Sequence, residues 1–385
     1  MKRLAIITTH PIQYYAPVFK LLSQRGNIGI KVFYTWGGSA INKHDPGFDQ
    51  QIEWDIPLLA GYNYEWVKNT STQPGSHHFK GIINPDLIQQ IGLYQADAIL
   101  VFGWAYHSHL KVLRYFKNKI PVYFRGDSTL LDQQPGIRSI LKTLFLKWVY
   151  RHIDHAFYVG TNNRAYFKKY GLQDKQLSFA PHAIDNDRFA IAHEAEVTEL
   201  RKSLNIPRNA VIILFAGKLE DKKAPGLLLN AFLALNAPKA HLLFVGNGSL
   251  ETSLKLKAGL TSNIHFIDFK NQSQMPAVYQ ACDVFCLPSK GPKESWGLAV
   301  NEAMACSKAV IVSDKCGCAV DLVTEKNGII FKSGNIEEIT LGLKKMITSA
   351  NSLAEMGRAS GLKIKDWNFE RIAVAIETKL INEKS

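Results

Sequence analysis

The stretch Pro288 to Glu302, PSKGPKESWGLAVNE, decides the reading of this chain, because a strand ends, a loop turns and a helix begins within it. Upstream, Asp283 to Leu287 (DVFCL) is a short apolar run of the kind a buried parallel strand shows, and Pro288-Ser289 ends it. Downstream, Leu298, Val300, Ala303 and Met304 fit a packed helix, with Gly297 allowing a tight turn into its first residues. Such a start leaves the backbone N–H groups of Ser295, Trp296, Gly297 and Leu298 without helical partners and directed above the strand ends, which favours an anion there. Glu294 falls in the loop before the helix and Glu302 eight positions later, at different depths of the same crevice.

A phosphate with a carboxylate on each side, one near a sugar and one near a ribose, is what recognition of a nucleotide-sugar requires. Carboxylates accept hydrogen bonds from vicinal hydroxyls and repel phosphate unless amides and lysines stand between. The stretch resembles the signature of family 4 glycosyltransferases, retaining enzymes in which two glutamates separated by seven residues bracket a Gly-Leu dipeptide. The competing reading is a solvated helix face with a capping carboxylate. The resemblance implies an α/β protein of the GT-B fold: two Rossmann-like domains with parallel sheets facing a central crevice. It places an acceptor-binding domain at residues 1–187 and a nucleotide-sugar domain at 188–365, with a last helix (366–385) crossing back onto the first.

Length and composition agree with that size of protein. A chain of 385 residues has material for two or three domains, and 46% hydrophobic with 21% charged residues is an ordinary globular balance. No apolar run approaches the ~18 residues of a spanning helix, and the opening MKRLAIITTH is too short in its apolar part for a secretory signal, so a cytoplasmic location is expected. Five cysteines, all in the second half, argue against a disulfide framework, and Cys316-x-Cys318 lacks a second metal-spaced pair. Residues 1–190 carry 22 Lys and Arg against 13 Asp and Glu. That excess implies an anionic partner: a membrane surface at the inner face of the plasma membrane, or a phosphorylated acceptor. Nucleic acid is disfavoured, since no binding motif accompanies the charge.

In chain order, Arg3 to Thr8 reads as a buried strand, then a loop, a helix to about Ser23 and a strand at Ile30 to Tyr34. This is a Rossmann-like opening without the G-x-G-x-x-G fingerprint, which disfavours a dinucleotide enzyme. His10 occupies the loop where the family usually has glycines facing the donor phosphates, and is a candidate for substrate contact or for a structural hydrogen bond. From Trp36 to about Pro85 the pattern is irregular, which marks a candidate acceptor-binding region. There Trp54, Tyr62, Tyr64 and Trp66 are able either to stack on sugars or to pack the loop. Ala98 to Phe102 and Pro121 to Phe124 are further strands, each ending in a polar loop, the first carrying His107 and His109. Asp127 lies in the second, where the family has a histidine or acid that contacts the transferred sugar; capping of the following helix is the alternative. Ile137, Ile140, Leu141, Leu144, Phe145, Trp148 and Val149 repeat with helical period, the stripe expected to pack on the sheet. The other side, with Lys142, Lys147, Leu146 and Tyr150, is the one expected to face anionic lipid.

Asp185-Asn186-Asp187 spells a metal-binding D-x-D, but in PHAIDNDRF it looks like the family's interdomain connection, and no catalytic metal or other cofactor is expected. In the second domain VIILFA is a strand, followed by Gly217, Lys218 and Lys223, where the resemblance implies basic residues gripping the donor diphosphate. Gly246 lies in the turn after the next strand, and Phe269 with Lys270 in the loop along the nucleobase. Ser307 and Ala309 stand where Gly and Pro are usual. The resemblance implies metal-independent transfer of a sugar to a carbohydrate or lipid-linked hydroxyl in bacterial envelope or polysaccharide synthesis, with Glu294, Asp127 and His10 as candidate catalytic residues. A nucleotide-sugar epimerase or hydrolase of the same architecture, or a non-catalytic binding protein, are the alternatives.

Overall fold

The computed structural model describes residues 1–37, 44–45, 50–51, 53–133, 136–292, 294–348 and 350–383. It forms two compact units, one of residues 1–43, 56–182 and 369–385, the other of residues 44–55 and 183–368. The chain changes unit at 43/44, 55/56, 182/183 and 368/369, so a short segment of the N-terminal half belongs to the second unit.

The first half supplies β1 (Arg3–Thr8), β2 (Gly29–Tyr34), β3 (His44–Asp45), β4 (Gln50–Gln51), β5 (Tyr64–Trp66), β6 (Ala98–Phe102), β7 (Val122–Arg125), β8 (His155–Tyr158) and β9 (Leu177–Phe179). The second half supplies β10 (Val211–Ala216), β11 (Ala240–Val245), β12 (Ile264–Ile267), β13 (Val284–Leu287), β14 (Ala309–Ser313) and β15 (Gly328–Phe331). The first unit holds a seven-stranded sheet in the order β5-β2-β1-β6-β7-β8-β9, the second a six-stranded sheet in the order β12-β11-β10-β13-β14-β15. Every pairing in both is parallel. Helices cover both faces of a parallel sheet, so its strands must be apolar on both sides. VIILFA, AHLLFV, VFCL and AVIVS meet that demand and are almost wholly buried.

Strand order then fixes where ligands go. In the first sheet the chain reverses direction between β1 and β6, in the second between β10 and β13. Loops leaving the carboxyl ends of strands at such a point diverge, and the gap between them is where open α/β sheets bind. The loops after β10 and β13 are those carrying Gly217 to Lys223 and Pro288 to Gly297.

One expectation about the first unit is corrected. Ile137, Ile140, Leu141, Leu144 and Phe145 of the Ile137–Tyr150 helix are exposed, while Leu146, Val149 and Tyr150 are buried, so the helix packs with the opposite face inward. His109 lies inside the His107–Phe116 helix, fully buried. Tyr62, Tyr64 and Trp66 pack with Tyr34, at ring-centroid distances of 5.0 to 6.1 Å, which is the packing alternative. Residues 38–43, 46–49 and 52 of the irregular stretch lie outside the described residues. The closing helix, Phe369–Ile381, belongs to the first unit. There Glu377 accepts from Arg25 Nε at 3.0 Å and Nη2 at 2.8 Å, and Glu370 from the same guanidinium.

Candidate functional site

In the second unit β13 ends at Leu287, and the chain reaches the Leu298–Ala305 helix through the loop predicted from sequence. Gly297 precedes the helix at φ +98°, a conformation that side chains disfavour, and a Cβ there would meet Leu287 Cδ2 at 2.9 Å. Among the described residues no side chain caps this helix start, which leaves its positive end for a ligand. Gly317 supports the loop from beneath. A Cβ on it would lie 1.7 Å from the Ser295 carbonyl oxygen, so only glycine lets the two backbones meet. The Cys318 N–H donates to the Trp296 carbonyl at 3.0 Å.

Glu294 is 8% exposed, and its Oε2 receives the Ser289 hydroxyl at 2.9 Å and the Lys223 ammonium at 2.5 Å. A carboxylate so covered needs both partners, because an unpaired buried charge is costly. Lys223 arrives from the loop after β10. That loop is joined to the β13 loop by the Lys290 N–H donating to the Lys222 carbonyl at 2.9 Å and by Lys290 Nζ on Asp221 at 2.7 Å. The two loops of the switch point thus act together. Gly217 (φ +145°) opens the first of them, with Lys218 beside it and Gly246 at the end of the neighbouring β11.

Glu302 lies one turn into the helix, 4% exposed, and accepts from the Tyr279 hydroxyl at 2.8 Å. Leu298 is the helix's first residue and Ser295 lends its carbonyl to the Gly317 contact. The Trp296 ring is turned inward, 3% exposed, with Nε1 donating to Asn301 Oδ1 at 2.9 Å, so only its backbone belongs to the loop surface. Phe269 and Lys270 follow β12; the Phe269 N–H donates to Asn247 Oδ1 at 2.8 Å. Next to them Asn271 donates to the Glu53 carbonyl at 2.6 Å, Ser273 N–H to Asp55 at 3.1 Å, and the Trp54 ring lies 6.5 Å from that of Phe269. Asp185 of the D-x-D sequence caps the Asn186–Ala190 helix, accepting from the Arg188 N–H at 3.1 Å. All five cysteines are buried and free, and burial pushes the Cys282 and Cys316 thiols up to about 12.

The first unit gathers a second polar group at the ends of β1, β6 and β7. Asp127 Oδ2 stands 3.7 Å from Nε2 of the buried His182, whose ring lies parallel to Tyr15 at 6.3 Å. Burial holds His182 below its ordinary range despite the neighbouring carboxylate. The buried Arg125 donates to the Ala180 and Pro181 carbonyls at 2.7 and 2.8 Å and so fixes the backbone that bears His182. His10 Nδ1 is 2.8 Å from Thr9 Oγ1, with its ring edge-on to Trp36. Asp127 and His10 thus both lie at the carboxyl end of the first sheet. Sequence reasoning passed over Ser289, Tyr279, Gly317 and His182. Ser289 and Gly317 carried a signal, a serine at a strand end and a glycine between two buried cysteines, whereas Tyr279 and His182 had none.

Two parallel α/β units, each with its loops gathered at a switch point, have the layout of the GT-B fold. Residues 196–361 match the family model described as glycosyl transferases, group 1. The D-inositol 3-phosphate glycosyltransferase of Gordonia bronchialis is 27% identical over 190 residues, 46% of this chain and 41% of that protein. The N,N'-diacetylbacillosaminyl-diphospho-undecaprenol alpha-1,3-N-acetylgalactosaminyltransferase of Campylobacter jejuni is 26% identical over 208 residues, 53% of this chain and 54% of that protein. The chain thus spans about half the length of the curated relatives it matches. Among solved structures, Anabaena HepE in complex with UDP and glucose superposes over 100% of both chains with a TM-score of 0.73 at 17% identity, a likeness of fold.

Proposed function

We propose that this chain is a retaining glycosyltransferase that moves a sugar from a nucleotide-sugar to an acceptor hydroxyl, without a catalytic metal, in bacterial envelope or polysaccharide synthesis. The observation that carries the reading is Glu294, buried and held by Lys223 and Ser289 before an uncapped helix start at the switch point. Charge leaving on the diphosphate would meet the amides from Ser295 to Leu298 together with Lys218 and Lys223. Such preorganised donors are each worth ~3 kcal/mol of barrier. Glu294 would orient the transferred sugar and Glu302, steadied by Tyr279, would hold the ribose. The leaving phosphate would take the acceptor proton on the same face. In the first unit Asp127, His182 and His10 would meet the acceptor, a carbohydrate or lipid-linked hydroxyl. Residence at the inner face of a plasma membrane belongs to the same proposal, through a separate surface of the first unit.

The test is a thermal-shift screen against UDP-, GDP-, ADP- and TDP-sugars with and without EDTA, on the wild type and Glu302→Ala. A donor at ~100 times its dissociation constant stabilises the fold by about 2.7 kcal/mol. One nucleotide class is expected to shift the wild type regardless of EDTA and to leave the variant unshifted. A shift that vanishes with EDTA overturns metal independence, and a donor consumed equally fast with and without any acceptor means hydrolysis or epimerisation instead of transfer.

A further inference from the structure

The Ile137–Tyr150 helix turns its apolar stripe outward. Ile137, Ile140, Leu141 and Leu144 are 61 to 78% exposed and Phe145 is 42% exposed. At the helical repeat these five and Trp148 share one arc of about 140°, while the buried Leu146, Val149 and Tyr150 occupy the opposite side. The basic residues border the stripe: Arg138 and Lys142 along one edge, Lys147 along the other, all exposed. The helix has no Asp or Glu. At its far end the Arg114 and Arg151 guanidiniums lie over the Trp148 ring at 5.4 and 6.0 Å. Between residues 101 and 151 there are nine Lys and Arg against two Asp and Glu.

A contiguous apolar strip of this kind is seldom left to water. We propose that this face docks on an anionic lipid bilayer, with the helix lying in the interfacial plane. The stripe would enter the boundary between headgroups and acyl chains while Arg138, Lys142 and Lys147 reach the lipid phosphates. At about 21 Å the helix is too short to span, so lying flat is the geometry open to it. Charge chooses this occupant over a second copy of the chain, because self-pairing would bring the same cations together with no acid in the helix to oppose them. An acidic plane answers the whole border at once. The surface is independent of the donor site, and its occupancy does not presuppose the proposed transfer reaction.

The experiment is flotation of the full chain with vesicles of phosphatidylcholine alone or with about 30% phosphatidylglycerol. Partition is expected to be at least about tenfold greater on the anionic vesicles, and to fall about tenfold or more in each of Leu141→Gln/Leu144→Gln and Lys142→Glu/Lys147→Glu. Both variants change exposed side chains, so their unfolding midpoints and nucleotide-induced shifts should match the wild type. Because every native cysteine is buried, Leu144→Cys offers a single site for an environment-sensitive fluorophore, expected to blue-shift with anionic vesicles only. No partition, partition that neither pair alters, or an unshifted fluorophore overturns the proposal. So does lipid-free self-association in sedimentation velocity that Leu141→Gln/Leu144→Gln abolishes, which would make a second copy the occupant. Absence of any nucleotide shift with lipid binding intact would instead count against the transferase reading.

Discussion

Glu294 shows how one residue's requirements organise its surroundings. Its carboxylate is nearly covered, and among the described residues only Lys223, 20% exposed, brings it an opposite charge at contact distance. Lys223→Met should therefore cost about 3 kcal/mol of second-unit stability, since it leaves a buried charge with the Ser289 hydroxyl as its main support. Adding Glu294→Gln removes that charge, so the double variant should be more stable than Lys223→Met alone while transferring no sugar. Urea unfolding of the two would decide it, and equal stabilities would mean the ion pair carries little. His109 makes a different demand. Its Nδ1 donates to the Gly103 carbonyl at 2.9 Å, Nε2 accepts from Thr35 at 2.8 Å, and burial holds its pKa down to about 4. Folded below unfolded, the unfolded chain binds the extra proton, so this stability is full above about pH 7 and is lost as pH falls through 6.5 towards 4. Between pH 7 and pH 5 the loss from this residue is about 2 kcal/mol, and His109→Gln should show a correspondingly flatter pH dependence of unfolding.

At the scale of elements, the β13 loop is held in shape by Gly317. Gly317→Ala must push the Ser295–Trp296 backbone away, at a cost of about 2 kcal/mol, and should abolish the nucleotide-induced thermal shift while both sheets persist by circular dichroism. A retained shift would mean the loop is not the donor's seat. This element was legible in the sequence because strand, turn glycine and helix each leave a local mark. The second unit's strands were legible for the same reason: a parallel strand buried on both faces has to be a continuous apolar run. Orientation was not legible. The period of Ile137–Tyr150 announced a helix, yet two apolar arcs compete for the inside, and Leu146 and Tyr150 won through neighbours supplied by other segments. The inward turn of the Trp296 ring was not legible either, since only its partner Asn301 reveals the ring as core. Ser307 stands where the family pattern has glycine and does adopt φ +55°, so the backbone requirement survives the change of residue.

Over the whole molecule, each unit has its own core, and the chain passes between the units at 43/44, 55/56, 182/183 and 368/369. Asn186 ties the last two crossings together, its Nδ2 donating to the Ile364 and Trp367 carbonyls at 3.1 Å each. The last helix then returns to the first unit, where Arg25 reaches Glu377 across 352 positions of sequence. Glu377 is 4% exposed on its side chain and Arg25 26%, and apart from that guanidinium Glu377 receives Asn27 Nδ2 at 3.1 Å. Arg25→Met should thus destabilise the first unit by about 3 kcal/mol, the cost of leaving that carboxylate covered and uncompensated. Arg25→Met/Glu377→Met, apolar at both positions, should regain most of the loss. Because the proposed donor residues all belong to the second unit, nucleotide should still raise that unit's unfolding transition in both variants. Scanning calorimetry with and without nucleotide separates the two effects. If Arg25→Met lowers both transitions equally, the two units unfold as one and the assignment of the last helix's stabilisation to the first unit alone is wrong.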